Sequence, residues 1–210
     1  MDPLLLMWIK KDASYLAADG ENTIEFDPKD SFLGALKNDK AIEIMSFGFG
    51  ISLMDTSASK DVGEDGKLES VGKFQKYILG TLGTERYPIS LDEVKIDRQI
   101  DKSSPVLMKY CFETTSLKTI TIVKFKNSGT TSKYPFEPYV RVDFSNALIT
   151  DLSWSPSDAF LKEEFKFVYR TVEVQYRPQN NDGSMGDTVN PGPLSLIKTA
   201  GGSGGSGSTG

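Results

Sequence analysis

The chain has 210 residues, enough for one domain with tails, and 38% of them are hydrophobic, with 12 Phe and 8 Tyr to build a core. Its formal net charge is -5 with Lys and Arg scattered along the chain, which argues against nucleic-acid binding, where clustered cations displace counterions, and offers no attraction to anionic lipid. A single cysteine, Cys111, excludes an internal disulfide framework and fits folding in a reducing compartment, and the lack of histidine removes the commonest general base and metal ligand.

The apolar run Leu4 to Ile9 is short, is preceded by Asp2 and is followed by Lys10 and Lys11. That pattern lacks the charge order and cleavage site of a signal peptide, and it is too short to span a bilayer. Residues 4–10 are therefore expected to be a buried first strand, with no membrane insertion. Residues 11–40 are mixed and punctuated by Asp19-Gly20 and Asp27-Pro28. Residues 41–54 read as one long strand. In its later half Phe47, Phe49, Ile51 and Leu53 point one way, and Ser46, Gly48, Gly50 and Ser52 point the other.

Residues 55–93 read as loop, although 74–82 suits a short helix or a strand fragment. Residues 94–100 alternate as a strand. A helix then starts: Ser104 is placed to accept a hydrogen bond from a first-turn N–H, and Pro105 suits the first helical position. Leu107, Tyr110 and Cys111 share a face that should be buried.

Residues 118–126 form a further strand. Over 138–154 the alternation sets Val140, Val142, Phe144, Leu148, Leu152 and Trp154 in one phase. The final strand, 161–176, changes phase midway, from Phe165, Phe167 and Tyr169 to Val172, Val174 and Tyr176, which predicts a bulge or a bend between sheets. Residues 180–210 are a polar, Gly-rich tail whose last ten residues are only Gly, Ser and Thr, of flexible-linker composition. The expected fold is mainly β: an antiparallel β-barrel or sandwich with one flanking α-helix, over a domain of residues 1–179.

The chemistry of catalysis is sparse. Without histidine no Ser-His or Cys-His pair exists, one cysteine cannot build a zinc site, and no phosphate-cradling Gly-rich motif appears. Glu163 and Glu164, or Asp92 and Glu93, are the conceivable acid–base pairs, and each reads more plainly as a solvated face. The stretch Asp61 to Gly66 is a poor calcium loop and reads as a turn. Cys111 lacks a cationic neighbour that would activate it. No catalytic, cofactor-binding or metal-binding residue is assigned, and no enzyme activity is expected.

Val94 to Phe112, centred on Asp101-Lys102-Ser103-Ser104-Pro105 with Leu107-Met108, resembles the haemolysin-coregulated protein (Hcp) family of type VI secretion systems, where a strand leads through such a turn into the only substantial helix. Val172 to Gln179, followed by Asp182-Gly183, and Ile42 to Ser52 are further matches in the family's order. The stretches 11–40 and 55–93 and the tail after Gln179 are longer than in the family. The resemblance implies a structural subunit of the secretion tube, forming stacked hexameric rings. Its implied partners are further copies of itself, a spike protein, a contractile sheath and effector cargo. It also implies a cytoplasmic protein later secreted through the apparatus without a signal peptide. Within that frame Ser46, Gly48, Gly50 and Ser52 are the candidate lumen or close-approach face, the alternative being a strand packed beneath a loop. The long stretch 55–93 is a candidate contact arm. Two other readings remain, the tail-tube protein of a phage-like contractile injection particle and a monomeric β-sandwich binding module.

Overall fold

A computed structural model describes residues 4–16, 20–27, 29–53, 78–82, 85–127, 134–157, 160–180 and 184–195. The strands are β1 (Leu4–Lys10), β2 (Ile42–Glu43), β3 (Ser46–Gly48), β4 (Ile51–Leu53), β5 (Ile78–Leu82), β6 (Glu85–Leu91) and β7 (Val94–Gln99). Helix α1 (Ser104–Phe112) follows, then β8 (Ser116–Asn127), β9 (Phe136–Pro156), β10 (Leu161–Val168), β11 (Thr171–Tyr176) and β12 (Leu194–Ser195). All strand pairings are antiparallel. The larger sheet has nine strands, ordered β2-β1-β8-β9-β10-β7-β3, with β11 on β9 and β12 on β11; β4, β6 and β5 form a three-stranded sheet. No described helix is long and apolar enough to cross a membrane.

The continuous apolar run of β1 is buried on both faces. Met7 and Ile9 join the main core with Ile42, Ile96, Ile120 and Phe144. Leu4, Leu6 and Trp8 point the opposite way, into a second core closed by Phe26, Leu33 and Leu36 of the mixed segment. Phe26 lies edge-on to Trp8 and stacked on Phe125, with ring centroids 5.7 and 5.6 Å apart. The Trp8 indole N–H donates to the Lys37 carbonyl at 2.8 Å. The polar-looking stretch 20–41 is thus a lid over the outer face of β1 and β8. Gly20 is required there, because a Cβ would lie 1.9 Å from the Ala41 carbonyl oxygen.

Four expectations change. The sheet is not closed into a barrel: its path ends at β2 and β3. The long strand expected at 41–54 is three short ones, because each segment finds a different partner. Ile42–Glu43 pairs with β1, Ser46–Gly48 with β7, and Ile51–Leu53 with β6. Consecutive N–H groups mark the crossing: Ile44 donates to the Leu5 carbonyl at 3.1 Å and Met45 to the Asp97 carbonyl at 2.8 Å. Within 55–93, β5 falls on the strand fragment that 74–82 allowed, β6 is a strand where loop was expected, and residues 54–77 lie outside the described residues. Pro88 withholds a ladder N–H in the middle strand of that sheet, which hides it from pattern reading. Finally, residues 184–195 lie along β11: Tyr176 and Val189 exchange both backbone hydrogen bonds at 3.1 and 2.8 Å, and Val172 pairs with Leu194.

The phase change expected in the final strand is present, and it is shared. Tyr169 and then Val172 are buried there, Phe144 and then Ala147 in β9, and Leu117 and then Ile120 in β8. Each strand skips one residue at the same level, the row of Lys118, Asn146 and Arg170 between the registered pairs Leu117↔Ala147, Thr119↔Ser145, Val168↔Leu148 and Thr171↔Ser145. Asn146 adopts φ 53°, the left-handed region that Asn tolerates best after Gly. The single phase expected over 138–154 therefore breaks: Ala147 and Ile149 are buried and Leu148 is only half-buried. A second skip, where Lys166 pairs with Asp151 but Phe167 with Ile149, restores the original phase.

Candidate functional site

Strand β7 alternates Val94, Ile96 and Arg98 into the interior, so its third inward residue is a cation. A buried guanidinium has five N–H donors to satisfy. The Arg98 Nε–H donates to the Gln99 carbonyl at 3.1 Å, Nη1 to Ser103 Oγ at 3.0 Å and Nη2 to Ser104 Oγ at 3.0 Å; Nη2 also contacts Asp101 Oδ1. The Nε lies 3.0 Å from Glu163 Oε1, and both side chains are fully buried. The Nε hydrogen points to the Gln99 carbonyl, so Glu163 Oε1 is held by charge alone. Its other oxygen accepts from the Trp154 indole N–H at 2.8 Å.

This constellation explains the turn Asp101-Lys102-Ser103-Ser104-Pro105. Asp101 Oδ1 accepts from the Ser103 N–H at 2.8 Å, and Ser104 Oγ from the Asp101 N–H at 3.2 Å. The Lys102 N–H reaches Glu21 Oε1 at 3.3 Å. Ser104 is the first helical residue rather than the cap; Ser103 occupies the cap position, in helical conformation and without a side-chain cap bond. The two hydroxyls that would suit capping serve the buried cation instead. Leu107 and Tyr110 are buried as expected and Cys111 is half-buried. Burial, and then the Asp151 charge, push the Cys111 thiol pKa up.

Glu163 is the residue that surface statistics misjudge. It is fully buried, whereas Glu164 pairs with Lys95 at 2.9 Å across the strands. The signal lies in the phase: Glu163 shares the inward set of Phe165, Phe167 and Tyr169, as Arg98 shares that of Val94 and Ile96. Two charges in two buried phases of paired strands, Glu163 opposite Arg98 in the register, predict one ion pair.

The four residues Ser46, Gly48, Gly50 and Ser52 do not share one strand: Ser46 and Gly48 are on β3, Ser52 is on β4 of the smaller sheet, and Gly50 lies between. Ser46 is exposed and its Oγ donates to Asp97 Oδ2 at 2.8 Å. Gly48 is exposed, and a Cβ on it would meet nothing within 4 Å. Gly50 lies against Asp92, whose Oδ2 would be 2.6 Å from an added Cβ. The Ser52 side chain lies outside the described set. Among the described residues no group of three or more His, Cys, Asp or Glu is arranged to hold a metal ion. The described surface does carry large apolar side chains, Phe112 at 90% exposure foremost, with Met45, Trp154, Leu161 and Met108.

The fold and this site define a class: a β-sheet protein whose one described α-helix is locked onto the sheet by buried charge. Residues 33–176 match the family model described as "Type VI secretion system effector, Hcp". The match spans more than half of the chain, and the chain belongs to the Hcp family, a family of structural tube proteins. Among solved structures, a type six secretion system protein is 17% identical over 91% of this chain and 93% of its own, with a TM-score of 0.58. Hcp1 from Salmonella typhimurium is 18% identical over 90% and 93%, with a TM-score of 0.55. A further Hcp protein is 13% identical over 94% and 99%, at 0.57. Identities this low speak for the shared fold. No curated protein matches the sequence.

Proposed function

We propose that this chain is the inner-tube subunit of a type VI secretion system, assembling into stacked hexameric rings that carry effectors and are expelled with them. The observation that carries the proposal is the family match over residues 33–176, on a fold shared with solved Hcp proteins along nine-tenths of the chain. Its partners are then other copies of itself, a spike protein, a contractile sheath and cargo, and its role is architectural rather than catalytic. Residues 1–179 form the tube domain, and the appended tail lies along its β11 over 184–195.

The buried Arg98 cluster supports this reading. Its contacts hold the helix entry against the β9–β10 hairpin, which is an architectural use of buried charge. The exposed Gly48 supports a lumen or neighbour contact along Ser46, Gly48, Gly50 and Ser52, since no described residue needs a glycine there. Mass in solution by light scattering tests the proposal. A particle of several protomers is expected; a 23.1 kDa species at every concentration would overturn it.

A further inference from the structure

Helix α1 buries Leu107 and Tyr110 and leaves Met108 and Phe112 on an outward face, 40% and 90% exposed, one turn apart. A Phe so exposed is held in water by the chain's own packing, and nothing described in its own chain covers it. Elsewhere the chain has an apolar hollow of about 830 Å³. It opens where residues 44–45 leave β1 for β7, so that the start of β1 and β3 part. Leu5, Ile24, Met45, Phe47 and Phe136 line it, with Glu43 and Lys124 as its charged members.

Ridge and groove sit at opposite ends of the β1–β8 ladder. Leu4 and Leu5, in the groove, pair with Phe125 and Lys124, whereas Lys10 pairs with Thr119 near the helix, and the Lys118 N–H reaches the Lys11 carbonyl. Six residues of β1 separate the two ends, about 20 Å at the usual rise. One copy therefore cannot seat its own ridge, and two copies related by a two-fold axis are not needed: a protruding patch and a complementary hollow on different surfaces make a head-to-tail contact. Charge agrees. Phe112 is flanked by Lys109 and Glu113, both exposed and 3.8 Å apart, and these would meet Glu43 and Lys124.

We propose that the Met108–Phe112 ridge of one copy docks in the groove between β1 and β3 of the next copy. This rests on the tube-subunit reading and supplies one of its contacts.

The test compares the parent chain with Phe112→Asp and Met45→Asp, both at exposed positions, first confirming equal melting temperatures. Mass in solution is then read for each protein alone and for an equal mixture. The parent should be multimeric and each variant monomeric. The mixture should double in mass, because the intact ridge of Met45→Asp fits the intact groove of Phe112→Asp. If both variants assemble like the parent, the ridge and groove serve some other occupant and the proposal is overturned while the tube reading stands. If each variant is monomeric and their mixture stays so, these two surfaces do not pair. A parent that is monomeric throughout overturns the tube reading itself, and this contact with it.

Discussion

Arg98 and Glu163 stand opposite each other on β7 and β10, with 3.0 Å between Nε and Oε1 and no exposure of either side chain. The pair joins three features of the family-like region: the inward phase of one strand, the Asp101–Pro105 turn and the β9–β10 hairpin. Taking two charges out of water is costly unless both are well matched, so removing one is worse than removing both. Arg98→Ala, or Glu163→Gln, is expected to cost about 3–5 kcal/mol by denaturant unfolding. A joint replacement by apolar residues should cost less than either alone; equal or greater loss in the double variant would refute the pairing.

Leu107 is fully buried on the inner face of α1. Leu107→Ala should lose about 2–5 kcal/mol of stability. A variant that melts like the parent would mean that the helix does not pack where its sequence pattern and the structure both put it.

Gly20 and Gly48 should respond oppositely. A Cβ at Gly20 meets the Ala41 carbonyl, backbone that cannot yield cheaply, so Gly20→Ala should lower stability by about 1–3 kcal/mol through overpacking. Gly48 has open space, and Gly48→Ala should leave the melting temperature of the subunit unchanged. If Gly48→Val also leaves the subunit stable but lowers assembly, the strip through Ser46 and Gly48 approaches a neighbour; unaltered assembly leaves it facing the lumen.

Tyr169 is buried, its hydroxyl has no hydrogen-bond partner among the described residues, and burial, aided by the Asp92 charge, pushes its pKa up to about 12. The folded state therefore favours the neutral phenol. That contribution is complete below the unfolded value of about 10 and is lost as pH rises toward 12. Unfolding curves collected across this window should show falling stability in the parent and a shallower fall in Tyr169→Phe. Identical slopes would mean that the ring titrates as if in water.

Pattern reading reached most of the sheet because its buried phases are strongly apolar: β1, β7, β8 and β10 lie within a few residues of where alternation puts them. It stopped where backbone geometry overrides alternation. Asn146 at φ 53° shifts the phase of β9, and only the matching skips at Lys118 and Arg170, left out of the registers beside it, reveal that the neighbouring strands shift with it. The three-part strand at 42–53 was illegible for a related reason, since partners, not side chains, divide it. The turn Asp101–Pro105 is legible as a helix entry, whereas its cation is not, because residue type marks Glu163 as a surface group and Ser104 as a cap, and only the phase and the partner reveal what buries them.

A tube subunit must build a ring. Negative-stain electron microscopy of the purified chain, at concentrations where light scattering gives the largest mass, tests it most directly. Annular particles with a central lumen, stacking end to end as concentration rises, are the predicted result. A uniform field of compact particles of single-protomer size over the whole range would contradict it.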